Sequence, residues 1–278
     1  MGVQHQDSLQ LRALAMSTAA TVERILERIG HRQPKLAIVL STGLQAVDGD
    51  VEDPTTFAYA ELPGFPKSAV ASHRGRLLLG KLAGHSVALL ESYEDYYRAG
   101  RVDAMREPLE VAAALGCRKV LLTAAAQSLR TELGPGRLAL VTSHAMLGDP
   151  AALSHGFGTR YPIDWHAAFD PLLTERLTAA SARVEVPLAS GCFGWPGGPA
   201  SPAARDQGAD MIGVSLIPEA IIARSLNMRS VAIANILDWA PGAAPAGISP
   251  DLARQRADFG AIHLRRILAD YLRHGGAD

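Results

Sequence analysis

The sequence predicts an α/β protein: a mixed, largely parallel β-sheet covered by helices on both faces. Three observations predict it. Short apolar runs alternate with amphipathic stretches along most of the 278 residues. Most runs are bounded by Gly, Pro or charge, as strands are. Hydrophobic residues make up 48% of the chain, enough for a sizeable single core.

The strands read in order as "KLAIVL" (35–40), "RLLLGKL" (76–82), "HSVALLES" (85–92), "KVLLTAA" (119–125), "LALVTSH" (138–144), "PLASGCF" (187–193), "MIGVS" (211–215) and "SVAIANIL" (230–237). Helices are expected at about 16–30, 105–116, 166–184, 218–227 and 250–273. In the last of these Ser249 can cap, Pro250 suits the first turn, and glycines close the end. Residues 1–30 read as an N-terminal helix and tail, and 31–278 as one α/β domain. "APGAAPAGIS" (240–249) has the small residues of a mobile loop.

Several function classes are excluded by composition. Formal net charge is −1 and there is no basic block, so neither nucleic acid nor an anionic membrane has electrostatic support. No apolar run reaches the ~18 residues of a membrane span. The first thirty residues lack a signal peptide's apolar core, so a cytoplasmic protein is expected. Cys117 and Cys192 form neither a disulfide framework nor a metal pattern. No His, Asp or Glu spacing suggests a metal site, and no cofactor is expected. Trp195 reads as packing, and His144 and His155 as turn or interface residues.

Ligands of α/β sheets collect at the carboxyl ends of strands. Five such ends carry informative residues: Ser41-Thr42-Gly43, Glu91 to Tyr97, Ala124 to Ser128 (with Ala125), Val214-Ser215, and Asp238-Trp239. The second belongs to "ESYEDYYRAG" (91–100), which gathers three carboxylates and three tyrosines where a strand ends. Each alone also reads as an ordinary polar turn; together they suggest a pocket.

The ordered set of segments resembles the purine nucleoside phosphorylase family, trimeric class, with its methylthioadenosine phosphorylase branch. The likeness runs from about residue 34 to 270. It is carried by "LSTGLQ" (40–45), "YAELPGFPKSAVASHRGRLLLGKLAG" (59–84), "LGCRKVLLTAAAQSL" (115–129), "PGRLALVTSHAML" (135–147), "GFGTRYP" (156–162) and "GADMIGVSLIPEAIIAR" (208–224). The resemblance implies a distorted, barrel-like mixed sheet surrounded by helices, a nucleoside-like ligand, and a homotrimer in which Phe157 completes a neighbour's pocket. It implies cleavage of the bond between ribose and purine with phosphate as nucleophile. Thr42, His73 and Ser215 fall at phosphate-side positions, Tyr97 and Val214 beside the sugar, and Ala125 at a substrate-binding strand end.

The sequence departs from the family where the charge lies. The family's arginine and histidine after this strand are Tyr93 and Asp95 here. Unit charges ~4 Å apart interact by about 4 kcal/mol at an effective dielectric of 20. Exchanging a cation for an acid beside a near-dianion therefore costs several kcal/mol. The family's glycine pair is Gln127-Ser128, its asparagine before that pair is Ala124, and Ser201-Pro202 replace the aromatic and the purine-reading glutamate. The segment to Gly208 is also about six residues short. Its sugar-capping histidine falls near Pro250. Asp238 stands where the methylthioadenosine branch has an aspartate facing a 6-amino purine, with Trp239 beside it.

Three readings remain open. The chain cleaves a nucleoside with phosphate; or it does so without phosphate, Asp95 activating water as a general base and Asp238 stabilising the leaving base; or it is a binding or structural trimer. From residue type alone, Asp95 reads equally as a solvated turn residue, and Asp238 as a loop cap.

Overall fold

The computed structural model describes residues 2–30, 33–66, 75–91, 103–147, 168–195, 203–243, 245 and 259–277, with 2–15 described by backbone only. Among the described residues nine strands form one sheet: β1 Leu36–Leu40, β2 Glu52–Ala58, β3 Arg76–Leu82, β4 His85–Glu91, β5 Lys119–Ser128, β6 Leu138–Met146, β7 Leu188–Trp195, β8 Met211–Ile212 and β9 Arg229–Trp239. The helices are α1 Gly2–Ile29, α2 Arg106–Ala114, α3 Pro171–Arg183, α4 Ala203–Asp206, α5 Ile217–Ser225 and α6 Phe259–Arg273.

The strand order is β2-β3-β4-β1-β5-β8-β7-β6-β9, and β9 also pairs with β5. That last pairing closes β5, β8, β7, β6 and β9 into a ring. The other four strands extend from β5 as an open wing. The sheet is thus mixed and barrel-like: β1–β4, β1–β5, β5–β9, β6–β7 and β7–β8 run parallel, and the remaining pairs antiparallel.

The apolar runs become strands because both of their faces are buried. In β1 every residue is buried. Ala37 and Val39 enter one core, beneath α1, α2 and α5, while Leu36, Ile38 and Leu40 enter the other, beneath α3 and α6. α3 starts where chemistry allows. Asp170 caps it by accepting from the Leu173 amide at 3.0 Å, and Pro171 occupies the first turn. Asp170 also takes a two-pronged contact from Arg229, at 2.6 and 2.7 Å. The helix therefore begins five residues later than the expected 166. α6 ends on glycines: Gly276 donates to Tyr271 and Gly275 to Leu272, with φ +83° at Gly275.

Sequence pattern missed β2. Its residues, EDPTTFA, are exposed or half-buried apart from Phe57 and carry a proline. It is an edge strand, where one unpaired side tolerates Pro54, and its register slips between Glu52 and Thr55. α1 is longer than the expected 16–30 and packs against α2. β8 is shorter than expected: Val214 and Ser215 leave the strand for a strained turn described below. The expected start of the last helix, at 250, and half of the expected loop 240–249 lie outside the described residues. Both cysteines are free, and burial pushes the Cys117 thiol up to about 12. Among the described residues no helix is long and apolar enough to cross a membrane.

Candidate functional site

Parallel register brings four strand ends to one edge. Leu40 pairs with Glu91, Val39 with Leu122, and Ala125 with Asn235. The loop after β1 is pinned there by Thr123. Its hydroxyl accepts from the Ser41 amide at 2.8 Å and donates to the Val39 carbonyl at 2.8 Å. Ser41 is thereby buried, and the side chain of Thr42 is left exposed. Gly43 follows with φ +84°. A Cβ there would stand 2.9 Å from Asn235 Nδ2 and 3.2 Å from Leu237 Cδ2, so a glycine lets the loop seat against β9.

β9 carries a bulge at this edge. The β5–β9 register passes from Ala126↔Ile236 to Gln127↔Asp238 and leaves Leu237 without a partner. Bulges re-aim side chains next to functional sites. Asp238 is exposed, and its Oδ1 accepts the Trp239 amide at 2.8 Å. One carboxylate oxygen is therefore engaged in its own turn.

The end of β8 comes beside Ala125. A Cβ at Gly213 would lie 2.8 Å from the Ala125 carbonyl. Val214 is half-buried, and its carbonyl accepts the Trp195 indole N–H at 2.9 Å. Ser215 is buried. Leu216 then adopts φ +82°, ψ −56°, and the Ile217 amide donates to the Ser215 carbonyl at 3.1 Å. This is the rare, strained γ-turn, and strain of this kind gathers at functional sites. The buried carboxylate of Glu219 holds it by accepting the Leu216 amide at 2.7 Å. Leucine has no polar side chain, so only the glutamate half of a capping box is present.

Charge collects at the end of β4. Arg76 lies 2.6 Å from Asp48 and 3.0 Å from Glu91. Burial pulls the guanidinium pKa down, but Glu91 and then Asp48 more than offset this, and the net direction is up. The cation that β3 brings to this corner is thus held between two carboxylates. The Glu91 carbonyl also accepts the Tyr59 hydroxyl at 2.6 Å.

Thr42, Ala125, Val214, Ser215 and Asp238 therefore meet at one edge. Trp239 turns elsewhere: its ring covers Gly134, its indole donates to Thr131 at 3.2 Å, and it lines a separate cavity of about 420 Å³ with Arg137, Phe259 and His263. His73, Tyr93, Asp95, Tyr97 and Phe157 lie outside the described residues.

The phosphorylase superfamily's sequence profile matches residues 35–273. The chain belongs to this family. It is 30% identical over 228 residues to purine nucleoside phosphorylase 1 of Bacillus subtilis, covering 78% of this chain and 84% of that one. It is 27% identical over 250 residues to purine nucleoside phosphorylase 1 of Geobacillus stearothermophilus, covering 86% and 88%. In structure it is similar to the Schistosoma mansoni purine nucleoside phosphorylase solved with adenosine, at TM-score 0.76 and 22% identity, over 92% of this chain and 95% of that one.

Within this nucleoside phosphorylase fold, sequence reasoning missed three features of the corner: the Arg76–Asp48–Glu91 cluster, the Leu216 turn and the bulge at Leu237. The turn had a signal in Pro218-Glu219, a proline in the first helical turn with an acid beside it. The other two had none, because pairings across 15 and 28 residues and a register slip exist only once the sheet has formed.

Proposed function

We propose that this chain binds a purine nucleoside-like ligand of adenine type and cleaves its N-glycosidic bond without using phosphate as nucleophile. The relatives' name supports the purine nucleoside. The convergence of Thr42, Ala125, Val214-Ser215 and Asp238 on one edge supports a ligand site there. The observation that carries the phosphate-free reading is Arg76, held between Asp48 and Glu91 at the end of β4, so that two acids stand beside one cation there. Tyr93 and Asp95 follow directly in the sequence and add a further acid.

In this mechanism Asp95 takes a proton from water as the water's oxygen attacks the anomeric carbon. The bond from that carbon to the base nitrogen breaks, its electron pair leaves with the base, the base takes up a proton from solvent, and Asp95 returns its own to solvent. Asp238 accepts a hydrogen bond from the 6-amino group, through the oxygen not engaged by the Trp239 amide. The backbone at Ala125 and Val214 and the hydroxyls of Thr42 and Ser215 position the sugar, with Tyr97 and a neighbouring copy's Phe157 completing the pocket of a homotrimer. Light scattering is expected to give three times the chain mass; a monomer overturns that part.

A second reading, phosphorolysis, is favoured by the hydroxyls of Thr42 and Ser215, since both groups suit phosphate oxygens. Incubating the protein with adenosine, methylthioadenosine, inosine and guanosine, with and without phosphate, separates the readings. Adenine-type base release in both conditions supports the proposal. Release only with phosphate contradicts it, and binding without release leaves a non-catalytic trimer.

A further inference from the structure

Side chains of β9 alternate between the two cores. Ala232, Ala234 and Ile236 join one, and Val231 and Ile233 the other. The next residue in the second row is Asn235, a carboxamide with no exposed surface. Among the described residues neither its Nδ2 nor its Oδ1 has a hydrogen-bond partner. Two glycines make room for it. A Cβ at Gly43 would lie 2.9 Å from Nδ2, and one at Gly260 would lie 2.0 Å from Oδ1 and 2.8 Å from Cγ. The amide is thus wedged between the loop after β1 and helix α6, in a row where an aliphatic side chain of similar shape leaves nothing unpaired.

A buried amide with both ends unpaired is destabilising, and such exceptions call for a functional cause. The place supplies one. Gly43 adjoins Thr42, whose exposed side chain lies at the strand edge. The Gly43 amide is already taken by Gln45 Oε1 at 2.9 Å, so Asn235 meets the loop without being satisfied by that donor.

We propose that Asn235 is a positioning residue for the loop Ser41–Gly43. When a ligand engages Thr42, the loop settles and the Asn235 carboxamide takes up a backbone partner in it, so that binding relieves the unpaired amide. The inference rests on the proposed reading of this edge as the ligand site. Asn235 touches no reacting atom and acts only through the loop.

Asn235→Leu tests it, because the substitution removes both unpaired groups and keeps the bulk. Two readouts are needed: melting temperature without ligand, and calorimetric affinity for adenosine. The expected result is a melting temperature a few °C higher together with adenosine affinity weakened roughly fivefold or more. Hydrogen exchange over residues 40–47 is expected to slow on adenosine binding in the wild type and much less in the variant. A variant that is more stable and binds adenosine as well as the wild type overturns the proposal, since the amide is then a tolerated defect. So does a variant that melts lower without ligand, since the amide then has a partner already. A wild type that binds neither adenosine nor inosine, with or without phosphate, overturns the reading of the site itself and shows this before any variant is made.

Discussion

The corner has two ends of different kind. At the ends of β8 and β9 its parts are backbone: a γ-turn at Leu216, a bulge at Leu237, and glycines at 43 and 213 where a side chain would collide. At the end of β4 its parts are charges: Arg76, Asp48 and Glu91, followed in sequence by Tyr93 and Asp95. Backbone devices are tied to strand pairing and cannot change without refolding the sheet. Side chains on the turn after a strand change at little cost to the fold. The difference teaches that the corner's backbone frame and its charges are separable: the frame belongs to the fold shared with the family, and the proposed chemistry rests on the charges at the β4 end.

The strongest way to break this comparison is at Asp95. If it is the general base, Asp95→Asn is expected to slow base release about a hundredfold or more, with the melting temperature unchanged. A rate within twofold of wild type removes the acid from the mechanism. The next effect restores the family's charges. Tyr93→Arg with Asp95→His is expected to raise phosphate affinity a hundredfold or more, since ~4 kcal/mol for one close charge pair is about a thousandfold before solvent screening. Unchanged affinity by calorimetry means these side chains do not face the anion end.

The backbone end gives smaller effects. Asp238→Asn is expected to erase a roughly ten- to hundredfold preference for adenosine over inosine, because an ionised carboxylate only accepts whereas an amide also donates. Equal binding of both by wild type and variant leaves Asp238 as the cap of its own turn, the contact to the Trp239 amide being its whole role.

The smallest effect lies away from the corner, where α1 meets α2. Glu107 is buried, one of its oxygens has no partner, and its pKa is pushed up to about 7. Burial is the main cause and Glu110 adds to it; the Thr18 and Ser17 hydroxyls and Arg106 oppose it. The ordinary value is 4.5, so between there and 7 the folded state holds a proton that the unfolded chain has released. Stability is therefore lost as pH rises through this window. Glu107→Gln is expected to melt a few °C above wild type at pH 8 and level with it at pH 5. A constant difference between the two pH values contradicts the assignment.

Most of the sheet was legible in the sequence because its strands are apolar on both faces and bounded by turn residues; "KLAIVL" and "HSVALL" needed no tertiary context. The edge strand Glu52–Ala58 was not, since an edge needs little apolar surface and tolerates Pro54. The meeting of Thr42, Ala125 and Ser215 followed from strand order. The roles of Arg76, Asn235 and Leu216 did not: an ion pair across the sheet, an unpaired amide in an apolar row and a strained turn are properties of packing. "SVAIANIL" shows the polar residue in its row without showing that two glycines stand on either side of it.

The central claim is that the β4 end has exchanged phosphate for water. Its most direct test is the identity of the sugar released from adenosine in a phosphate buffer, followed by phosphorus and proton NMR. The account predicts free ribose, with no sugar phosphate formed. Ribose 1-phosphate as the main product would contradict it and return the chain to the chemistry its relatives are named for.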